Sequence, residues 1–258
     1  MGKTLTPSIR TENLTIRFGG HAAVNDVTCA FQPGELTVIV GPNGAGKTTW
    51  FNLVSGQLKP TAGRIFKGET EITRLSASAR AKAGIGRAFQ LTNLFPKLTV
   101  LENVRLAVQA KAGQGPSALR NAASLTDLAE KAARVLEQTR LSSVAHLPAS
   151  ALPHGDQRKL EVAMLAAMEP DIFMFDEPTA GMSVDEAPVI LELIADLKKD
   201  RSKTILLVEH KMDVVRALAD RIVVLHNGEL VADGKPAEVM ALPIVREIYL
   251  GVGAEEVA

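Results

Sequence analysis

Residues Val38-Ile39-Val40-Gly41-Pro42-Asn43-Gly44-Ala45-Gly46-Lys47-Thr48-Thr49 decide how the rest of the chain is read. A β-branched apolar run enters a glycine-rich turn, which opens into Trp50-Phe51-Asn52-Leu53, the first turn of a helix. Glycines at 41, 44 and 46 permit backbone angles that a Cβ would forbid, so successive N–H groups can converge on phosphate oxygens. Lys47 is placed to reach the terminal phosphates, Thr48 to offer a hydroxyl to Mg²⁺, and the helix N-terminus adds partial positive charge. The spacing meets G-x-x-x-x-G-K-[ST] at every fixed position, in the strand-loop-helix context that pattern requires. A glycine-rich surface turn is the competing reading, and the context weighs against it.

Working outward, two further stretches carry chemistry. The apolar run Ile172-Phe173-Met174-Phe175 ends in Asp176-Glu177, at the C-terminal end of a strand, where open α/β sheets place their ligands. One carboxylate there can hold Mg²⁺ directly or through water, and its neighbour can orient and activate an attacking water. The alternative is a solvated acidic turn. Thr204–Val208 is the next strand and closes at Glu209-His210. A lone histidine is more often a surface group, but a strand-end position beside the same sheet edge favours a phosphate contact.

The rest of the chain frames these stretches. Leu14–Phe18 and Val27–Phe31 alternate as strands, Pro33-Gly34 turns into Leu36–Val40, and Arg64–Lys67 returns as a strand after the first helix. From Ala77 to Leu141 the pattern becomes helical, after a short strand at 84–89 and a loop that begins at Gln90 and runs to Pro96. Thr99 and Glu102 make a capping box for a helix over Val100–Ala110, and Leu125–Leu141 shows helical periodicity. This inserted lobe reads equally as a partner-contact surface or a plain sub-bundle. Helices over Gln157–Met168, Val184–Lys199 and Met212–Leu218 alternate with strands Ile172–Phe175, Thr204–Val208 and Arg221–Leu225, the βαβ pattern of an α/β fold with a parallel sheet. His226-Asn227-Gly228-Glu229 is a hairpin turn, and Pro236–Leu250 holds two short helices.

Composition narrows the function classes. The 258 residues carry 29 Lys plus Arg against 29 Asp plus Glu, so no global field draws nucleic acid or an anionic membrane. A single cysteine, Cys29, excludes a disulfide framework and a cysteine-based metal site, and is expected to be a small buried hydrophobe. No apolar run approaches the ~20 residues that span a bilayer and no secretory leader is visible, so a soluble cytoplasmic chain is expected.

Taken together and in order, these motifs resemble the ATP-binding subunits of ABC transporters, from about Asn13 to the hairpin near Asp233. In that family Gln90 matches the Q-loop, Leu152-Pro153-His154-Gly155-Asp156-Gln157-Arg158-Lys159 the signature, Ala180-Gly181-Met182-Ser183 the D-loop, His210 the switch histidine, and Phe18 the aromatic that stacks on adenine. The resemblance implies a P-loop NTPase (RecA-like) core with a parallel sheet, an N-terminal antiparallel β lobe and an inserted α-helical lobe. It implies one ATPase domain, with core and β lobe at about 8–90 and 169–235, helical lobe at about 91–168, and C-terminal helices and tail at about 236–258. ATP and Mg²⁺ are the expected cofactors. Gly41 through Thr49 and Phe18 would hold the nucleotide, and Thr48, Gln90 and Asp176 would arrange the metal. Glu177, His210 and Gln90 would serve hydrolysis, and Gly155 would face the nucleotide of a partner ATPase.

The finer match is to the branched-chain amino-acid importer group: Leu-x-x-Gly-x-Gln-Arg-x-Leu-Glu from Leu152, Gly181-Met182 after Glu177-Pro178-Thr179-Ala180, Phe89-Gln90-Leu91-Thr92-Asn93-Leu94-Phe95-Pro96, and Ile248-Tyr249-Leu250-Gly251. In that group two different ATPases sit under two different membrane permeases on the inner face of the plasma membrane, fed by a periplasmic binding protein. A sister group imports urea and short amides. Pro153 and His154 stand where the common signature has a serine and a first glycine, and Ser183 replaces the usual D-loop acid; these departures point to a heterodimer with unequal sites, a homodimer being the alternative. A soluble ABC-type ATPase in DNA repair, iron–sulfur assembly or translation is the runner-up. It lacks the basic patches or coiled-coil insertions expected for nucleic-acid work. A regulatory subunit with impaired hydrolysis would not need Glu177 and His210, and a small-molecule kinase would leave Gly155, Glu177 and His210 without roles.

Overall fold

The computed structural model describes residues 6, 8–88, 94–113, 122–183 and 186–250. In chain order the first strands and helices are β1 (Ile9–Phe18), β2 (His21–Phe31), β3 (Leu36–Val40), α1 (Lys47–Ser55), β4 (Ala62–Lys67), β5 (Thr70–Glu71), α2 (Ala77–Lys82) and β6 (Ile85–Ala88). Then come α3 (Val100–Lys111), α4 (Ala122–Gln138), α5 (His154–Ala167), β7 (Ile172–Asp176), α6 (Ala187–Leu197) and β8 (Thr204–Val208). The chain finishes with α7 (Met212–Leu218), β9 (Arg221–His226), β10 (Glu229–Gly234), α8 (Pro236–Ala241) and α9 (Pro243–Leu250).

Contacts gather these elements into two compact units. The first comprises Met1–Ile85, Asp171–Glu177 and Lys198–Ala258; the second comprises Gly86–Pro170 and Pro178–Leu197. The first unit contains an antiparallel sheet in the order β2-β1-β4-β5, and the larger sheet runs β10-β9-β3-β8-β7-β6. In the larger sheet β3 pairs in parallel with both β8 and β9, and β7 pairs in parallel with β8. Strands β3, β7 and β8 are buried at every position, which is why they read as continuous apolar runs rather than alternating ones. One core, including Ile9, Phe31, Ile39, Trp50, Phe51, Met174 and Leu206, holds the first unit together. Cys29 is buried on β2 as expected; burial pushes its thiol up to about 12, against the contact with the Thr11 hydroxyl at 3.4 Å.

Strand β1 starts at Ile9, five residues before the alternation becomes readable, and the reason is local. Its buried positions run Ile9, Thr11, then Leu14, Ile16, so the period-2 pattern slips by one at Asn13. Asn13 and the facing Asp26 both adopt positive φ (49° and 55°), and the Asn13 amide donates to the Asp26 carboxylate at 2.7 Å. A paired bulge hides one strand as two fragments. Helix α2 is too short for a periodic signal; the Ser76 hydroxyl caps it by accepting from the Ala79 N–H.

The second unit packs α3, α4, α5 and α6, with Val104, Leu128, Leu136, Leu141 and Leu160 in a core of its own. The capping box expected before α3 is present: the Glu102 N–H donates to the Thr99 hydroxyl at 3.1 Å, and the Thr99 N–H donates to the Glu102 carboxylate at 2.8 Å. Helix α5 begins at His154 rather than Gln157. Proline has a fixed φ and no N–H to lose, so Pro153 serves as the N-cap and the helix starts directly after it.

Candidate functional site

The loop between β3 and α1 folds around its own lysine. Lys47 is 7% exposed, and its ammonium donates to the carbonyls of Gly41 at 2.7 Å and Pro42 at 2.9 Å. Those bonds keep the charge over the loop. Burial pulls Lys47 below its ordinary value, opposed by the carboxylates of Glu177 and Asp176. Gly46 sits at φ 96°, and a Cβ there would run into the carbonyl oxygen of Ala23 on β2. Its carbonyl accepts from the Trp50 N–H at 2.8 Å, which starts α1. Ala45 is buried, whereas Asn43, Gly44 and Thr48 are exposed and Thr49 is half-buried. Open space over Gly44, with no atom within 4 Å of a hypothetical Cβ, leaves the loop a cradle that polyphosphate oxygens fit.

Sheet register brings the other strand-end groups to the same edge. Ile39 on β3 lies opposite Val208 on β8, which lies opposite Asp176 on β7. The ladder continues past the strands: the Glu209 N–H donates to the Ile39 carbonyl at 3.4 Å and the Glu177 N–H to the Val208 carbonyl at 3.0 Å. Asp176 is 4% exposed. Glu177 adopts φ 48°, a conformation that costs a non-glycine residue of order 1 kcal/mol and is retained at sites where a side chain must be aimed. The His210 Nδ1 stands 3.9 Å from the Glu177 carboxylate and 3.8 Å from that of Glu209, with the imidazole about half exposed. Thus Lys47, Asp176, Glu177 and His210, singled out from sequence, meet within one unit. Among the described residues no group of three His, Cys, Asp or Glu is arranged to hold a metal by itself. The Asp176 carboxylate and the Thr48 hydroxyl are hard oxygen donors, the type that Mg²⁺ accepts in small number beside phosphate oxygens.

Two residues here were not singled out from the sequence. Glu209, with a side chain 1% exposed, accepts from the backbone N–H groups of His210 at 2.8 Å and Lys211 at 3.2 Å, and so sets the turn that presents the histidine. Its signal was a carboxylate directly after an apolar strand. In the second unit Asn103 is fully buried; its amide donates to the carbonyls of Phe95, Leu98 and Thr99, and its carbonyl accepts from the Phe95 N–H at 2.8 Å. That one side chain holds the segment leading into α3. An asparagine within a helical pattern gives little warning of such a role. Gln90 lies outside the described residues. Phe18 ends β1 and is 52% exposed.

The signature stretch belongs to the second unit. Gly155 falls in the first turn of α5 and is buried, and a Cβ there would overlap the Glu186 carboxylate. That carboxylate also accepts from the Ser183 N–H at 3.1 Å and hydroxyl at 3.0 Å, while the Ser183 hydroxyl accepts from the Glu186 N–H at 3.3 Å. The backbone and hydroxyl hydrogen bonds of Ser183 hold Glu186 below the usual carboxylate range. No side chain caps α5 at Pro153.

Against known proteins, residues 24–180 match the sequence profile of the family described as "ABC transporter". The high-affinity branched-chain amino acid transport ATP-binding protein LivG of Salmonella typhimurium is 40% identical over 250 residues, covering 95% of this chain and 98% of that protein. BraF of Pseudomonas aeruginosa, described in the same words, is 37% identical over 253 residues, covering 95% and 98%. Among solved structures, a nucleotide-free ATP-binding cassette from an ABC transporter superposes with a TM-score of 0.80 at 30% identity, covering 96% of this chain and 99% of the other. The ADP conformation of MJ1267, an ATP-binding cassette of an ABC transporter, gives a TM-score of 0.80 at 31% identity, covering 95% and 99%.

Proposed function

The chain belongs to the ATP-binding subunits of ABC transporters, and from that premise we propose that it hydrolyses ATP to drive an importer of branched-chain amino acids. The cargo is the one that LivG and BraF are named for, and the match with both runs nearly end to end. The observation that carries the ATPase reading is the shared edge of the sheet, where the Lys47 loop, Asp176-Glu177 and Glu209-His210 follow strands in register.

In this reading the loop N–H groups and Lys47 bind the phosphates, and Phe18 meets the adenine. Thr48, Asp176 and Gln90 would hold Mg²⁺, which supplies charge neutralisation on the phosphoryl oxygens. Glu177 accepts the proton of a water as its oxygen bonds to the γ-phosphorus and the bond to the ADP oxygen breaks, releasing ADP and phosphate. His210 donates to the γ-phosphate, and Glu209 fixes its turn. Gly155 faces the nucleotide held by a second, related ATPase, so the chain works as one domain in a pair. Among the described residues no helix is long and apolar enough to cross a membrane. In the transport reading the pair acts from the inner face beneath two permease subunits, with a periplasmic protein delivering the solute.

The test is a co-purification. A tagged chain carrying Glu177→Gln is extracted from native membranes with Mg-ATP, and its companions are identified by mass spectrometry. Two different integral membrane proteins with a second related ATPase are expected, and uptake of labelled leucine should then depend on this chain. Recovery alone or with soluble partners only would overturn the transport reading; dependence of urea but not leucine uptake would overturn the cargo.

A further inference from the structure

The turn of the β9–β10 hairpin is a part of the structure that the reaction described above leaves without a role. Asn227 (φ 50°) and Gly228 (φ 81°) form its tip, and both positive angles are those of the tight turn that fits strand twist. The tip lies against the back of the phosphate loop. The Gly228 N–H donates to the carbonyl of Ala45 at 3.1 Å, and its own carbonyl accepts from the Asn25 N–H on β2 at 2.8 Å. A side-chain bond from Asn25 to Glu229 at 2.8 Å ties the same turn to β2. A Cβ on Gly228 would stand 3.0 Å from the Ala23 carbonyl and 3.1 Å from that of Ala22, so no larger residue fits without moving the turn. Gly46 is walled by the same groups: Ala23, and the Gly228 Cα at 3.3 Å from a Cβ position.

The consequence follows from peptide geometry. The Ala45–Gly46 peptide is trans and planar, so its C=O and N–H point in opposite directions. A donor that holds the Ala45 carbonyl toward the hairpin therefore turns the Gly46 N–H away from it, toward the open side of the loop. Were that peptide to rotate, a carbonyl would face the phosphate and repel it. We propose that Gly228 is a positioning residue for nucleotide binding: its N–H, braced by Asn25 and Glu229, fixes the Ala45–Gly46 peptide so that the Gly46 N–H is presented to a phosphate oxygen. The inference rests on the nucleotide-binding reading and adds to it a residue nearly two hundred positions from the loop in sequence.

The experiment follows the Gly46 amide in ¹⁵N-labelled full-length chain titrated with ADP. In the native chain its proton moves downfield on binding, as expected for a new charge-assisted hydrogen bond. In Gly228→Ala the ADP Kd rises roughly tenfold or more, the scale of one hydrogen bond to a charged group, and the Gly46 shift shrinks. Asn25→Ala, which keeps the backbone turn and loses only the brace, moves both readouts the same way by a smaller factor and decides the matter if Gly228→Ala does not fold. Val104→Ala, a truncation in the second unit's own core, lowers Tm yet keeps the Gly46 shift and the affinity. Native affinity and a full Gly46 shift in Gly228→Ala, or in Asn25→Ala should the former not fold, would overturn the proposal. Failure of the native chain to bind ADP would instead remove the nucleotide reading beneath it.

Discussion

The phosphate edge of the first unit and the signature stretch of the second differ in what holds them. At the phosphate edge the backbone does the holding: Lys47 is bonded to two carbonyls of its own loop, Glu177 and Glu209 extend sheet ladders, and three strands share one register. Around Gly155 the neighbours are side chains, with a carboxylate from Glu186 lying where a Cβ would be and no side-chain hydrogen bond at the Pro153 N-cap of α5. Strands in register and backbone hydrogen bonds leave that edge few degrees of freedom. Side-chain geometry of this kind can rearrange when a competing anion arrives. Under the proposed function, the chain would carry one pre-formed half-site and one that is completed by what docks on it.

The largest expected effect lies at the pre-formed edge. Glu177→Gln keeps the shape of the residue that follows β7 and removes the proposed base, so steady-state ATP turnover should fall by about 10²–10⁴. ATP affinity, measured by calorimetry, should hold. If affinity collapses together with turnover, the edge is not the rigid scaffold the register implies; if turnover survives, Glu177 is not the base.

Lys47 gives the next effect and has a pH signature. Lys47→Met removes a charge-assisted contact to phosphate and leaves the Gly41 and Pro42 carbonyls without their donor, so nucleotide Kd should rise by roughly ten- to a hundredfold. Burial already places the Lys47 ammonium below its ordinary value, so the free chain loses that charge at lower pH than an exposed lysine would. Native affinity should therefore begin to fall with rising pH before the ordinary lysine range is reached. The stability contribution has the opposite sign: between the folded and unfolded values the unfolded chain binds more protons, so stability rises with pH through that window. Calorimetry and thermal melts across alkaline pH, native against Lys47→Met, separate the two; parallel trends would contradict the assignment.

Legibility follows the same division. The glycine and lysine pattern from Gly41 to Thr48, the buried runs of β3, β7 and β8, and the strand-end positions of Asp176, Glu177 and His210 were readable because backbone rules act over a few residues. The bulge at Asn13, the role of Glu209 and the Asn103 network were not. Each depends on a partner chosen by the tertiary fold, such as Asp26 for Asn13 or the carbonyls of Phe95 and Leu98 for Asn103. The start of α5 lies three residues before the Gln157 expected from sequence, because Pro153 occupies the N-cap and the helix begins directly after it.

The smallest effect is expected at Glu186, beside Gly155 in the second unit. Glu186→Gln keeps acceptors for Ser183 but removes the negative charge that stands over Gly155 at the N-terminus of α5. Under the proposed function, a docking phosphate would compete with that charge for the helix N-terminus. ATP-driven pairing, measured in the Glu177→Gln background, should therefore strengthen by a factor of about two to five, the range an exposed charge at a helix end carries. Because Ser183 holds Glu186 below the usual carboxylate range, its charge, and the stability that charge contributes, is complete above the ordinary range and is lost only as pH falls through the depressed value. The gain from Glu186→Gln should thus be flat between about pH 6 and 8, shrink in acid, and diminish with added salt. Weaker pairing in the variant would mean that Glu186 supports the docked state instead of competing with it, and the second half-site would then be as pre-formed as the first.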